Sequence, residues 1–469
     1  MTKTLLAIAL LLLATTGFAQ QSLPVIRLTG TFGSDYQSGT VEIEGQSYPV
    51  SVKWRGASTG GSDKHKHNYK LKFGSNHQFF GMRNDNNWIL DAGQVDPFRL
   101  RNRIATDLWL DFATAPYYAE GLREKPLSGT RGRVVELYLN GQYEGIYSFG
   151  ENMDRKQMQL RKFDSQIRGV LWKAEGYQYT GFWDVENDYD NTLPTWGSFE
   201  AKYPDLDDRS QTDYSTLYEA INFVVNSSDD EFVAHAADYF DLPVVMDNYL
   251  FINVMGAIDN IGKNTFWAVY DRTAADHRLT PAVWDLDLTV GAPRLAAYNP
   301  EFVSPVLDMI SVTNLVYRLQ KLNVDNFCER SYERYEQLRQ GVLHTDSLID
   351  RYQTMCNLLY NTGAAQREID RWSGDSDLDS LTIDFRRDVD SISQWLRVHM
   401  AHLDTVLTDT AVHRLLGIHE VRTWQPSAAN RTAIYNLQGQ RQRIDLPLRP
   451  GIYIRGGRKF ITRKTFLNP

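Results

Sequence analysis

The pattern of apolar and polar positions changes twice along the chain. Up to about residue 160, short apolar runs at 39–45, 48–54 and 134–139 alternate with polar positions, and Gly or Asn stands at the breaks. A period of two in runs this short predicts β-strands. Asn140-Gly141 lies between the runs 134–139 and 143–149. It predicts a two-residue hairpin, because a type I′ turn needs positive φ at both central positions. One helix is expected among these strands. Asp96-Pro97 offers a cap and a first-turn proline, and Leu100, Ile104, Leu108 and Phe112 follow at helical spacing.

From about residue 206 the spacing becomes that of amphipathic helices, over 218–225, 230–240, 242–260, 324–338, 348–361 and 383–407. A strand pair, 265–270 and 282–288, is expected among them, and strands at 433–439 and 451–455 close the chain. The expected fold class is α+β: a sheet-rich lobe over 20–205, a helical lobe over 206–408 and a small β module over 409–469. A chain of 469 residues is longer than one core usually organises, which agrees with that division.

The amino terminus adds a destination. Lys3, the apolar run 5–14 and the small-residue site Gly17-Phe18-Ala19 have the layout of a signal peptide spanning 1–19. The run is too short to cross a bilayer and nothing later is longer, so no transmembrane segment is expected. The protein is expected to be exported, to the periplasm, the cell surface or beyond. Cys328 and Cys356 lie far from the cleavage point, which disfavours a lipid anchor. In an exported chain they form one bridge or remain two buried thiols, and spacing leaves both open. With 50 basic against 58 acidic residues and no long basic block, nucleic acid is not an expected partner.

The densest polar constellation is Asp259-Asn260-Ile261-Gly262-Lys263-Asn264, followed by Trp284-Asp285-Leu286-Asp287. Carboxylates set in Trp-, Leu- and Val-rich surroundings are costly unless paired, hydrogen-bonded or coordinating a cation. In a strand, Asp-x-Asp sends both side chains to one face, which suits oxygen coordination of Mg²⁺. The same pair also suits hydrogen bonds to backbone or Arg. Phosphoryl transfer needs a carboxylate for the acceptor, further oxygens for metal and a cation for the nucleotide phosphates. Asp259, then Asn264 and Asp285, then Lys66 or Lys70 are the candidates. The common kinase signatures His-Arg-Asp, Asp-Phe-Gly and Gly-x-Gly-x-x-Gly are absent from the sequence.

Six motifs stand in order: Arg55-Gly56-x-Ser58, Lys66-x-x-Tyr69-Lys70-Leu71-Lys72-Phe73, Leu100-Arg101-Asn102, Leu137-Tyr138-Leu139-Asn140-Gly141-x-x-x-Gly145-Ile146-Tyr147-x-x-x-Glu151, the 259–264 run and Trp284-Asp285-Leu286-Asp287. Together they resemble the CotH spore-coat kinase family over about 28–406. The resemblance implies a two-lobed, atypical protein-kinase-like body that uses ATP and Mg²⁺ or Mn²⁺ to phosphorylate Ser on a protein partner. Carried over residue by residue, it implies Asp259 as the catalytic aspartate, Asp285 as the metal ligand, and Asp287 and Asn264 as accessory ligands. Trp284 is placed against adenine, Glu151 near the nucleotide, and Lys66, Lys70 and Lys173 near phosphate. His67 departs from the family's usual Lys-Lys pair. The tail, with Ile434-Tyr435-Asn436-Leu437-Gln438-Gly439 and Pro450-Gly451-Ile452-Tyr453, resembles C-terminal modules of exported Bacteroidetes proteins. Two other readings stay open: a non-catalytic surface or matrix-assembly protein of the same fold, and a carbohydrate-binding or glycan-processing protein suggested by the exported setting and by 25 Tyr, 21 Phe and 11 Trp.

Overall fold

The computed structural model describes residues 22–56, 60–207, 209–307 and 312–407, with the backbone of four strands between 434 and 462. The expected signal peptide and Ser58 lie outside these residues.

Seven strands form a closed barrel: β1 (Val25–Thr29), β2 (Gln37–Ile43), β3 (Gln46–Arg55), β4 (Asn68–Gln78), β5 (Asn84–Asp91), β6 (Gly132–Leu139) and β7 (Gln142–Glu151). Their order is β1-β2-β3-β4-β5-β7-β6, closed by the parallel pairing of β1 with β6. Alternation along the strands turns Ile26, Val41, Val52, Leu71, Trp88 and Phe149 inward, where they are buried. The predicted hairpin is present. Asn140 and Gly141 have φ of 51° and 80°, and the Asn140 side chain bonds both the N–H and the C=O of Gly30 at 2.9 Å, tying the turn to the end of β1.

Helix α1 (Arg101–Phe112) begins one turn later than Asp96-Pro97 suggests, because Arg99 takes φ of 65° and interrupts the chain there. Asp96 still caps the start. Its carboxylate accepts from the N–H of Phe98 at 3.0 Å and of Arg101 at 2.9 Å.

A second, five-stranded sheet contains β8 (Val170–Ala174), β9 (Thr195–Trp196), β10 (Phe199–Tyr203), β11 (Thr265–Val269) and β12 (Thr280–Val283) in the order β12-β11-β8-β10-β9. The strand pair expected among the helices is thus one side of a sheet that draws strands from both sides of residue 205. The helices that follow are α2 (Ser215–Asn226), α3 (Asp229–Tyr239), α4 (Leu242–Met255), α5 (Leu295–Tyr298), α6 (Asn314–Lys321), α7 (Phe327–Arg339), α8 (Thr345–Asn361), α9 (Ala364–Trp372) and α10 (Phe385–Val406); α4 packs on β12 and α9 on β7 of the barrel.

Two boundaries shape the site, and both fall earlier than the apolar pattern predicts. Helix α4 stops at Met255 rather than 260, because Gly256 takes the left-handed conformation at φ of 55° and ends the ladder. The chain then makes a tight turn over Ile258–Asn260. Strand β12 stops at Val283, and Asp285, expected within a strand, has φ of 57°. The Asp-x-Asp pair therefore converges through loop geometry rather than strand alternation.

Cys328 on α7 and Cys356 on α8 are buried free thiols. No helix among the described residues is long and apolar enough to cross a membrane. Near the carboxyl end, β13 (Ile434–Asn436), β14 (Arg441–Gln442), β15 (Gly451–Arg455) and β16 (Arg458–Thr462) pair in the order β14-β13-β15-β16.

Candidate functional site

A cleft opens where the end of β3, the start of β4 and the ends of β5 and β7 meet the turn after β12. Arg55, Asn68, Asp91, Asn102, Trp284 and Asp285 are among its lining residues. Asn102 on α1 holds two of its parts together. Its amide nitrogen donates to Asp91 Oδ2 at 2.7 Å, and its oxygen accepts from the N–H of Leu286 at 3.0 Å. The end of β5 and the Asp285–Asp287 turn are thereby fixed relative to each other.

The carboxylates gathered here repel one another. Burial pushes the Asp285 carboxyl up, and Asp91 adds to the effect, while Lys173 and Arg55 oppose it. Water reaches Asp285 from the cleft mouth although protein surrounds its other sides, so solvent screening tempers the shift. Asp287 is half-buried and pushed well above the usual carboxylate range by burial, then by Asp285, Asp91, Asp96 and Asp259. Like charges held this close favour a proton or a cation between them.

Cationic side chains adjoin the cleft. Lys70 on β4 is paired with Lys53 on β3, on the outer barrel face that also carries the cleft-lining Arg55 and Asn68. Burial lowers the Lys70 ammonium, and Lys53, Arg55 and Lys202 lower it further. Lys173 on β8 is bonded to Glu175 at 2.6 Å and lies within electrostatic reach of Asp285. Trp284 lines the cleft, with Phe266 edge-on at 5.8 Å and the Arg55 guanidinium 5.3 Å from its ring centre.

Asp259 sits in the turn created by the early end of α4. Its carboxylate accepts from Lys263 Nζ at 3.0 Å on both oxygens, from Asn264 Nδ2 at 2.8 Å, and from the Tyr177 hydroxyl. Asn264 has φ of 53° and donates its N–H to Ala174 at 2.9 Å, which anchors the turn to β8.

Two sequence-derived candidates have their charged groups engaged by protein partners. Lys66 is buried, bonded to Glu368 at 2.8 Å and to the Ile146 carbonyl at 2.9 Å, and it is not among the cleft-lining residues. The Glu151 backbone reaches the cleft, but its carboxylate accepts from the N–H groups of Arg83 and Arg131, the Arg131 guanidinium and Gln157. Burial alone raises the Glu151 carboxyl, and these bonds bring it below the usual range. These bonds knit the end of β7. His65 groups with Asp375 and Asp377, with ligand atoms within 4.8 Å of one another, also away from the cleft-lining set. Asp91 and Tyr177 were not singled out from the sequence, and Lys263 stood in the 259–264 run without a role of its own. An Asp ending the strand Trp88-Ile89-Leu90-Asp91 is a weak signal for the first, and no local pattern marks Tyr177.

Residues 52–403 match the family model described as CotH kinase protein. The chain belongs to the CotH kinase family. The CotH match runs from β3 into α10 and includes the cleft with Asp91 and Asp285 and the neighbouring Asp259 and Asp287, while the four carboxyl-terminal strands lie beyond it. No curated protein matches the chain.

Proposed function

We propose that the protein is an exported CotH-type kinase that transfers the γ-phosphoryl group of ATP to a Ser hydroxyl of a protein partner. The observation that carries this reading is that Asp91 and Asp259 lie within electrostatic reach of both Asp285 and Asp287, with Arg55 and Lys173 in reach of Asp285 and Lys70 on the same barrel face as Arg55. Asp285 and Asp287, raised by burial and by acidic neighbours, are relieved by a divalent cation, and an all-oxygen donor set suits Mg²⁺ or Mn²⁺. In this reading Asp285, Asp287 and Asp91 hold the ion, with the Asn264 amide oxygen as an accessory ligand. The ion, when bound, neutralises charge on the phosphate oxygens.

The chain's own residues supply the rest. Lys70, Lys173 and Arg55 attract the polyphosphate, Trp284 flanks the base, and Asp259 accepts the proton of the acceptor hydroxyl. Lys66 and Glu151 support the scaffold instead of touching nucleotide. Export rests on the 1–19 leader pattern, and the carboxyl-terminal strands are assigned to a small β module.

A non-catalytic CotH-fold surface or matrix-assembly protein is the second reading, favoured by the engagement of Lys66 with Glu368 and by the filled hydrogen-bond positions of Asp259. Calorimetric titration of the mature protein with ATP and Mg²⁺ or Mn²⁺, beside Asp285→Ala, separates the two. Metal-dependent binding that is lost in the variant supports the kinase. No binding with either metal supports the scaffold.

A further inference from the structure

The contacts of Asp259 come from two different parts of the chain. Lys263 and Asn264 belong to the same turn as Asp259 and hold its carboxylate from within. Tyr177 comes from the segment between β8 and β9, and its hydroxyl donates to Asp259 Oδ1. That bond is of the kind a catalytic carboxylate accepts from an acceptor hydroxyl about to be phosphorylated.

The backbone of the segment is held at several points, including the N–H of Gly181 on the Tyr177 carbonyl at 3.0 Å, while the Tyr177 side chain is exposed. Gly262 has φ of 84°, and a Cβ there would stand 2.8 Å from the backbone nitrogen of Gly181. Glycine at 262 thus lets residues 180 and 181 pack directly on the Asp259 turn. Asn314 fastens the same stretch, donating its N–H to the Gly181 carbonyl and its amide to the Phe182 carbonyl, both at 2.9 Å. Phe182 is buried with its ring 5.2 Å from that of Trp267. Tyr177, four residues before Gly181, is 52% exposed, with Lys263 Nζ 5.7 Å from its ring centre. Rotation of this side chain removes the phenol from Asp259 without disturbing the anchored base. Burial and the Asp259 carboxylate both push the Tyr177 phenol up, so it stays protonated and acts as a donor, as a serine hydroxyl does.

We propose that Tyr177 is a built-in stopper of the acceptor position, filling the hydroxyl site on Asp259 until an acceptor displaces it. The proposal rests on the kinase reading and adds how the site is kept idle. A protein acceptor with flanking contacts has binding free energy to displace one hydrogen bond. A lone water molecule does not, and ATP hydrolysis is suppressed.

The test uses water as the acceptor. In hydrolysis, water oxygen bonds to the γ-phosphorus, the bond from that phosphorus to the β,γ-bridging oxygen breaks, ADP leaves with the electron pair, and the water proton passes to Asp259. ADP release from MgATP is measured for the mature wild-type protein, Tyr177→Phe and Tyr177→Ala, with ATP affinity followed separately by calorimetry. The stopper predicts several-fold faster ADP release in Tyr177→Phe, with unchanged ATP affinity, and loss of the gain when Asp259→Asn is added. Tyr177→Phe deletes only the hydroxyl, so it remains informative if Tyr177→Ala folds poorly. Wild-type binding of MgATP with no faster hydrolysis in Tyr177→Phe overturns the stopper and leaves the kinase reading intact. Phosphate recovered on Tyr177 also overturns it, since the phenol is then an acceptor. Wild-type protein that binds no MgATP sinks the kinase reading, and the stopper with it.

Discussion

Lys66 Nζ lies 2.8 Å from Glu368 Oε1, although 302 positions separate the two residues. Both are buried, and Arg99 Nε shares the same carboxylate oxygen at 2.7 Å while the N–H of Ile146 donates to the other at 2.7 Å. The network joins the barrel wall to α9. It also explains Gly145: at φ of 130°, a Cβ there would stand 2.6 Å from Glu368 Oε2 and 2.9 Å from Lys66 Cε. The Lys66 and Gly145-Ile146-Tyr147 motifs are therefore two sides of one buried contact.

Removal of Glu368 leaves Lys66 and Arg99 buried without their shared carboxylate. Breaking a buried pair by deleting one partner costs about 3–5 kcal/mol, and Glu368→Ala should lose stability of that order in urea denaturation. Lys66→Met should lose less. Burial already pulls the Lys66 ammonium down to about 8, and Glu368 keeps Arg99. Equal losses would show that Lys66, not Arg99, is the principal partner.

Nucleotide binding should separate Lys66 from Lys70. Lys66→Met should leave the affinity for MgATP within about twofold in protein that is still folded, because its ammonium points into the Glu368 network. Lys70→Met, on the face with Arg55 and Asn68, should weaken it by about tenfold, the equivalent of one charge-assisted contact of roughly 1.4 kcal/mol. A larger loss from Lys66→Met would restore its phosphate-contacting role.

Asp259→Asn should bind MgATP like the wild type and transfer no phosphate, because the acceptor hydroxyl loses its proton acceptor. Radiolabelled ATP with a lysate of the source cells as acceptor mixture, compared with calorimetry, reads the two effects apart. Undiminished transfer would remove Asp259 from the base role.

Asp388, in the first turn of α10, is buried, and burial lifts its carboxyl from 3.8 to about 6 although Arg101 and Arg387 pull the other way and Asp96 and Asp384 add to the rise. Between those values the folded chain holds more protons than the unfolded one, so this residue's contribution to stability falls as pH rises through the window. At about 1.4 kcal/mol per pH unit, the cost above pH 6 is at most on the order of 3 kcal/mol. Asp388→Asn should accordingly raise the denaturation midpoint at neutral pH, with the gain shrinking as pH drops toward 4. No gain at neutral pH would mean that Arg101 fully compensates the charge.

Features that depend on near neighbours were legible in the sequence. Asn140-Gly141 specified its turn because both residues tolerate positive φ, and the two acidic runs stood out because carboxylates are out of place among Trp, Leu and Val. Helix and strand ends were read too late at Met255 and Val283, since apolar residues continue past both. A left-handed Gly256 and a left-handed Asp285 decided those ends, and apolar spacing carries no information about φ.

The sequence by itself determined the sheet-rich first part, the helical second part, the family and the acidic runs around Asp259 and Asp285. Only the tertiary structure decided which charges those acids meet. Lys66 and Lys70 lie four positions apart, yet one is held by Glu368 from α9 and the other shares a face with Arg55. Likewise Tyr177 reaches Asp259 across 82 positions. The energy of a buried or half-buried charge is set by partners within a few ångströms, and chain closure, not sequence proximity, chooses them.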